Sequence, residues 1–356
     1  MSRNMPKARD MSEGEMAIGF PLPHRRNEAW KWTDVRAFVP GNAAGISQEA
    51  NPQFTASEEV KISRGDGHKG EGQMAKLAHY FAGESWNFYV AAGLKSATLD
   101  IENIARGHSH IAIMVDKGAS LSMVEHHRAG SNSFANIDLQ IHIAAGASLT
   151  RTIIHDDPAD VTRISTACIA MEDDARLEQY TLSFGAGLTR FETRVHGEGE
   201  NISAVINGTY LIDEKRHCDM TSHIELSAPN AHIRQAVKGV VTGKARGVFQ
   251  GKFHVLQAAQ LTDAEMRHDA LMLSDSCEIR SKPELEIYAD DVACAHGNTI
   301  GQLDEQALFY MRQRGIPVKA ARALLTQAFV ADVFDDMDDE DLRADILAKI
   351  TTWLEA

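Results

Sequence analysis

The sequence predicts a mainly β protein, a β-solenoid core flanked by helical segments at both ends. Three observations predict it. From about Trp86 to Ile287, short apolar runs recur roughly every 10 to 15 residues, separated by Gly, Asn and Asp. Within that region a four-residue signature returns at a fixed spacing of 28. After Gly301 the apolar period changes from strand-like to helical.

Residues 1–75 are expected to form an N-terminal helical region and linker. Met1 to Asp10 is basic but has no apolar core after it, so it does not read as a secretion signal. Pro21, Pro23, Pro40 and Pro52 punctuate a stretch with little alternation. Ser63 to Gly72 (SRGDGHKGEG) is polar and Gly-rich, which reads as a loop or linker.

Residues 76–300 are expected to form the core. The runs WNFYVAAG, HIAIMVDKG, DLQIHIAAG and RISTACIAMED are short, apolar and bounded by turn residues, which is a strand pattern. Gly118-Ala-Ser-Leu121 recurs as Gly146-Ala-Ser-Leu149. Steps of 28 continue it through Asp174-Ala-Arg-Leu177, Ile202-Ser-Ala-Val205, Asn230-Ala-His-Ile233 and Ala258-Ala-Gln-Leu261. A small corner residue followed by an inward aliphatic one is what stacked coils require, because each coil repeats the turn of the one below. An echo at half the spacing, at Ala105 and Ala245, leaves open whether one coil takes the full period of 28 or half of it, 14.

Residues 301–356 are expected to be a C-terminal helical domain. Asp304 is placed to cap a helix over EQALFYMRQR that Gly315 ends, and Pro317 stands at the start of a second. Ala321, Leu325, Ala328 and Phe329 form its apolar stripe. The acidic turn Asp332 to Asp341 precedes a last amphipathic helix carrying Leu342, Ile346, Ile350, Trp353 and Leu354.

Composition narrows the function. The 356 residues hold 36 Lys+Arg against 50 Asp+Glu, a net charge of −14, which disfavours a broad nucleic-acid surface. No run reaches the roughly 18 apolar residues of a membrane helix, so a cytoplasmic protein is expected. Cys168, Cys218, Cys277 and Cys294 include no CxxC, and even the closest pair, Cys277 and Cys294, is well separated. A disulfide framework or a self-sufficient zinc or cluster site would be denser.

Most catalytic templates fail. There is no GxSxG elbow and no HExxH. Gly243 to Lys252 is not a Walker A loop, because Phe253 stands where Ser or Thr should hold Mg²⁺. Gly185-Ala-Gly187 and Gly197-Glu-Gly199 read as hairpin or coil corners. His108 and His110 share a strand face, and His126 and His127 point oppositely. Solvated surface histidines are the expected reading of both pairs. Asp290 and Asp291, adjacent on an expected strand, face opposite ways and suit paired acid–base work poorly. Cys294 and His296, two apart on an extended strand, project to one face about 6–7 Å apart. A thiolate with an imidazole suits iron, zinc or a cluster, but two ligands need a partner chain to close a site. The alternative is that Cys294 is a small buried residue and His296 a satisfied turn histidine.

These residues lie in LEIYADDVACAHGNTIGQLDEQALFYMRQRGI, which closely resembles the C-terminal hallmark of the SufB/SufD family, components of the SUF iron–sulfur cluster assembly scaffold. The resemblance continues upstream from Lys238 and reappears as RRNEAWKWTDV near the start. It is specific over roughly residues 230–330. SufB chains typically carry Glu after this histidine and a longer cysteine-bearing N-terminal region. Gly297 follows His296 here, so the chain resembles the SufD branch. The resemblance implies a right-handed parallel β-helix and a non-enzymatic scaffold subunit that pairs with SufB through the β-helix. It implies that the C-terminal helices dock the ATPase SufC, which supplies ATP hydrolysis in trans. His296 would act with a SufB cysteine, Cys294 beside it, on transient iron or a cluster shared between the chains. The family's link to reduced flavin has no fingerprint here, and no stably bound cofactor is expected. Leu308, Phe309, Tyr310, Arg314, Leu325 and Phe329 are the candidates for SufC contact, about half of them expected to pack within the tail. A polysaccharide-active β-helix enzyme and a homodimeric structural solenoid are the competing readings, and homodimers in isolation are compatible with exposed strand edges.

Overall fold

A computed structural model describes residues 11–67, 70–103 and 106–356. Met1 to Asp10, His68 and Lys69 within the expected linker, and Ala105 of the half-period echo lie outside the described residues.

Two nine-stranded sheets face each other. Sheet one runs in the order β1 (Gln53–Ala56), β4 (Ala97–Asn103), β6 (Ser120–His127), β8 (Ser148–His155), β10 (Arg176–Ser183), β12 (Ser203–Ile212), β14 (His232–Val241), β16 (Asp263–Met272), β18 (Ala293–Gly301). Sheet two runs β2 (Val60–Gly65), β3 (Ser85–Val90), β5 (Gly107–Val115), β7 (Phe134–Ile143), β9 (Thr162–Met171), β11 (Leu188–Gly197), β13 (His217–Leu226), β15 (Arg246–Val255), β17 (Glu278–Ile287). Every pairing is parallel except β1 with β4 and β2 with β3. The fold is therefore a β-solenoid with helices near its termini.

One coil takes one strand from each sheet. Register places Leu121 on Leu149 and Leu149 on Leu177, two steps of the full period, so the full coil, not a half, is the repeat. The half-period echo at Ala245 is the corner before a sheet-two strand, and Ala245 is buried there. The column then continues through Ala204, Ile233, Ala264 and Cys294. Hence two of the six matches at a spacing of 28 are out of register. Ala204, not Val205, takes the inward place, and Leu261 is 57% exposed at a corner instead of stacked. Coil length varies after Leu177, one residue short up to Ala204 and longer from there on, and this breaks the fixed spacing.

The corner itself explains the residue choice. Gly118, Gly146, Asp174, Asn201, Asn230 and Leu261 all have φ between 57° and 65°. Gly, Asn and Asp adopt this left-handed region most cheaply. Corner N–H groups are also bonded to the next coil's carbonyls, as in Gly118 to Ala145 and Asn230 to Gln260. The inward columns form one large apolar core, in which each fully buried aliphatic side chain stabilises by about 1.5–3 kcal/mol. Part of the interior is ionic. Buried Arg151 donates to Glu125 Oε1 at 2.5 Å and to Gln179 Oε1 at 2.8 Å, so both charges keep partners.

The two outer faces are covered differently. Among the described residues of the expected helical region 1–75, only part is helical. It amounts to α1 (Glu13–Ile18), capped by Ser12 and Glu15, two 3-10 turns and the start of α2 (Gln73–Ala82). The segment instead contributes β1 and β2, so the sheets begin at Gln53, and Ser63 to Gly65 of the expected linker is strand. Antiparallel partners far along the chain, β4 and β3, hold these strands, and local periodicity does not reveal such pairing. Ile18, Leu22, Val35, Met74 and Leu77 pack on Phe134, Ile164 and Leu188 of sheet two. At the other terminus α4 (Val318–Ala331) and α5 (Glu340–Glu355) fold back on sheet one, and α3 (Glu305–Gln313) packs on α4. There Val330, Phe334, Ile346 and Ile350 cover Ile154, Tyr180, Leu182 and Leu211. Asp304 caps α3 through the N–H groups of Gln306 and Ala307. The buried stripe of α4 is Ala321, Thr326 and Val330, whereas Ala328, expected on it, is exposed.

Candidate functional site: the open terminal coil

The two ends of the solenoid differ. At the N-terminal end, antiparallel β1 and β2 close the sheets. At the other end β17 and β18 are the last strands, and neither has an outer neighbour among the described residues. Unpaired edges normally invite another strand. Leu261, Ile287, Tyr288 and Ile300 at these last corners and strands are exposed large hydrophobics.

Cys294 and His296 lie on β18, two residues apart as expected. Register adds what the sequence lacked: Cys294 stacks on Ala264 and His296 on Met266, so both continue inward columns. Their side chains cap the interior at its open end. Cys294 is half-buried and packs against the core, and burial pushes its thiol above the ordinary value. His296 is exposed.

The third inward position, Asn298, holds the strand in place. Its Oδ1 accepts from His268 Nδ1 at 3.0 Å, and the other ring nitrogen, at 3.0 Å, accepts from the Tyr210 hydroxyl. With Nδ1 donating and Nε2 accepting, the ring is neutral. Burial pulls His268 down to about 4, which agrees. This chain of hydrogen bonds, buried at Tyr210 and His268 and running out to the exposed Asn298, orients the strand carrying Cys294 and His296.

The other predicted candidates divide. Leu308 is buried, Leu325 is half-buried, and Phe329 packs in the tail's core beneath Lys238, whose Nζ is 4.8 Å from the ring centre. Phe309 and Tyr310 are 62% and 58% exposed, and the exposed Arg314 lies over the Tyr310 ring. The surface reading of His108 and His110 is corrected. Both are buried beneath the N-terminal segment, His108 against Ile46 O and Asn136, His110 against Asp138. His126 and His127 do point oppositely. His127 is fully buried and bonded to Glu125, so it too is no surface histidine. Asp290 and Asp291 sit in the corner before β18, not on a strand. Gly185, Gly187 and Gly199 serve coil corners and not hairpins, since their flanking strands lie in different sheets, and Gly197 is the last residue of β11, paired in parallel on both sides. The cysteines are all free.

The features define a class: a parallel β-solenoid, closed at one end and open at the other, with a soft ligand pair on its open coil. The chain belongs to the SufBD family, since the family described as "SUF system FeS cluster assembly, SufBD core domain" matches residues 99–329. Among relatives, the iron–sulfur cluster assembly protein SufD of Escherichia coli is 25% identical over 398 residues, covering 98% of this chain and 93% of that protein. An iron–sulfur cluster assembly SufBD family protein of Synechocystis is 32% identical over 237 residues, 64% of this chain and 52% of that protein. A SufBD family protein of Mycobacterium tuberculosis is 24% identical over 362 residues, covering 94% and 90%. The chain is thus a SUF-system iron–sulfur assembly protein of scaffold type. No helix among the described residues is long and apolar enough to cross a membrane.

Proposed function

We propose that this chain is the SufD-type, non-enzymatic subunit of a cytoplasmic SUF scaffold. Its open coil pairs with SufB and its tail docks the ATPase SufC. One observation carries the reading: the chemically soft pair on the open coil, Cys294 and His296, occupies inward columns at an edge that lacks its next strand among the described residues. A second solenoid stacked there would extend both sheets, cover Ile287, Tyr288 and Ile300, and add ligands to a pair too small to hold metal alone. Iron or a nascent cluster would be cargo at that seam, released when nucleotide turnover in SufC moves the two solenoids apart.

Co-expression with SufB and SufC, followed by native mass measurement, tests this. The expected species contains one copy of this chain, one SufB and two SufC. Recovery of this chain only as a monomer or homodimer, while SufB and SufC associate with each other, would overturn it.

A further inference from the structure

We propose that His223, Glu225 and His254 form a binding site for a divalent first-row transition-metal ion on the outer face of sheet two. Strand β13 places His223 and Glu225 two residues apart, hence on one face. Register sets His254 of β15 directly beside Glu225, with His196 of β11 on its other side. One ligand atom from each of the three lies within 4.8 Å of the others. His254 Nδ1 donates to Glu225 Oε2 at 2.8 Å, and His196 Nδ1 is 4.0 Å from Glu225 Oε1.

His223 is the informative member. Its Nε2 is buried yet has no hydrogen-bond partner, a cost that native structures rarely leave standing without use. Its ring lies 6.4 Å from that of His254 at 20°, so the two imidazoles stand side by side. Lys252 and Arg194 are the cations near His223. Those two cations are themselves engaged, Lys252 by Glu286 at 2.9 Å and Arg194 by Glu192 at 2.6 Å, so Glu225 remains for the ion.

Two imidazoles and a carboxylate suit Zn²⁺, Fe²⁺ or Co²⁺ and disfavour Cu⁺, which seeks thiolate. Such ions take nitrogen and oxygen at about 2.0–2.2 Å, so neighbouring ligand atoms stand about 3–3.5 Å apart. Side-chain rotation on rigid strands closes the difference. Ligands from one face of a sheet leave the solvent side open, which makes the ion exchangeable instead of structural.

Anaerobic titration of the untagged full chain with Co²⁺, read by visible absorption and by Zn²⁺ competition, tests the site. One tight equivalent is expected. H223A/H254A should weaken it more than about 100-fold, beyond what loss of a supporting contact costs. E225Q should weaken it too, and H296A should leave it unchanged. Because all three side chains face outward, circular dichroism of H223A/H254A should match wild type, and E225Q provides the readout if it does not. The proposal fails if wild type takes up no tight equivalent. It also fails if E225Q and H223A/H254A bind with unchanged affinity and spectrum.

Discussion

Arg190 and His296 show what position along the solenoid does to a polar side chain. Arg190 points outward from sheet two but is fully buried, because Trp30 stacks on it at 4.0 Å and Asp219 and Glu192 bond it at 2.7 and 2.9 Å. It is a structural ion pair under the N-terminal segment. His296 points inward yet is exposed, because no further coil among the described residues covers it. If it serves the seam, His296→Ala should abolish or sharply lower cluster-enzyme activities in cells dependent on this system, while melting temperature and SufC association stay near wild type. Wild-type activities in that strain would remove the role. The pair is legible in sequence because Cys-x-His on a strand shares a face at any register. The His223–Glu225–His254 group is not legible within one strand, although His196, Glu225 and His254 recur at the spacing of one coil. A search at the coil length carries that signal.

Strands are legible wherever alternation and corner residues agree, as in HIAIMVDKG and DLQIHIAAG. The repeat survives in sequence only while corners keep their length, through Leu177, after which one coil a residue short and then longer coils shift the register. Buried outward histidines look like surface ones because their cover comes from Ile46 and α2, far away in sequence. The tail helices are readable from caps and period, but not which of their residues face a partner. The structure separates buried positions from exposed ones. Leu308 and Phe329 belong to the tail's own packing, and Phe309, Tyr310, Val318 and Leu324 are exposed. Deleting residues 304–356 would therefore uncover Tyr180, Leu182 and Leu211 and confound loss of docking with loss of fold. The cleaner change is F309E/Y310E. It should reduce SufC capture at least about tenfold, as loss of exposed aromatic anchors at an interface does, with little effect on melting temperature. Undiminished capture would place SufC elsewhere.

The whole solenoid has a further property that no single coil shows: its buried histidines make it acid-sensitive as a unit. His108, His127, His217 and His268 occur in both sheets and from the first coils to the last. Burial pulls each from 6.5 to about 4. The unfolded chain takes up protons near pH 6.5 that these folded sites refuse until about pH 4. Between those values the unfolded state binds more protons, so stability falls as pH falls. Each such histidine removes up to about 1.4 kcal/mol per pH unit in that window. Glu125 extends the trend below it. Burial alone would raise its carboxyl, but Arg151 and His127 outweigh burial and hold it at about 2, so its contribution is present above about 4.5 and lost toward 2. The melting temperature of the isolated chain should therefore be nearly level from pH 8 to 7 and drop steeply from 6.5 to 4. The unfolding should stay a single transition, because the columns span neighbouring coils. A His268→Gln variant should show a shallower drop if it folds, since glutamine keeps a donor for Asn298 without a titrating ring. A melting temperature that stays level down to pH 4.5 would mean that the buried rings take up protons in place, against the burial that holds them neutral.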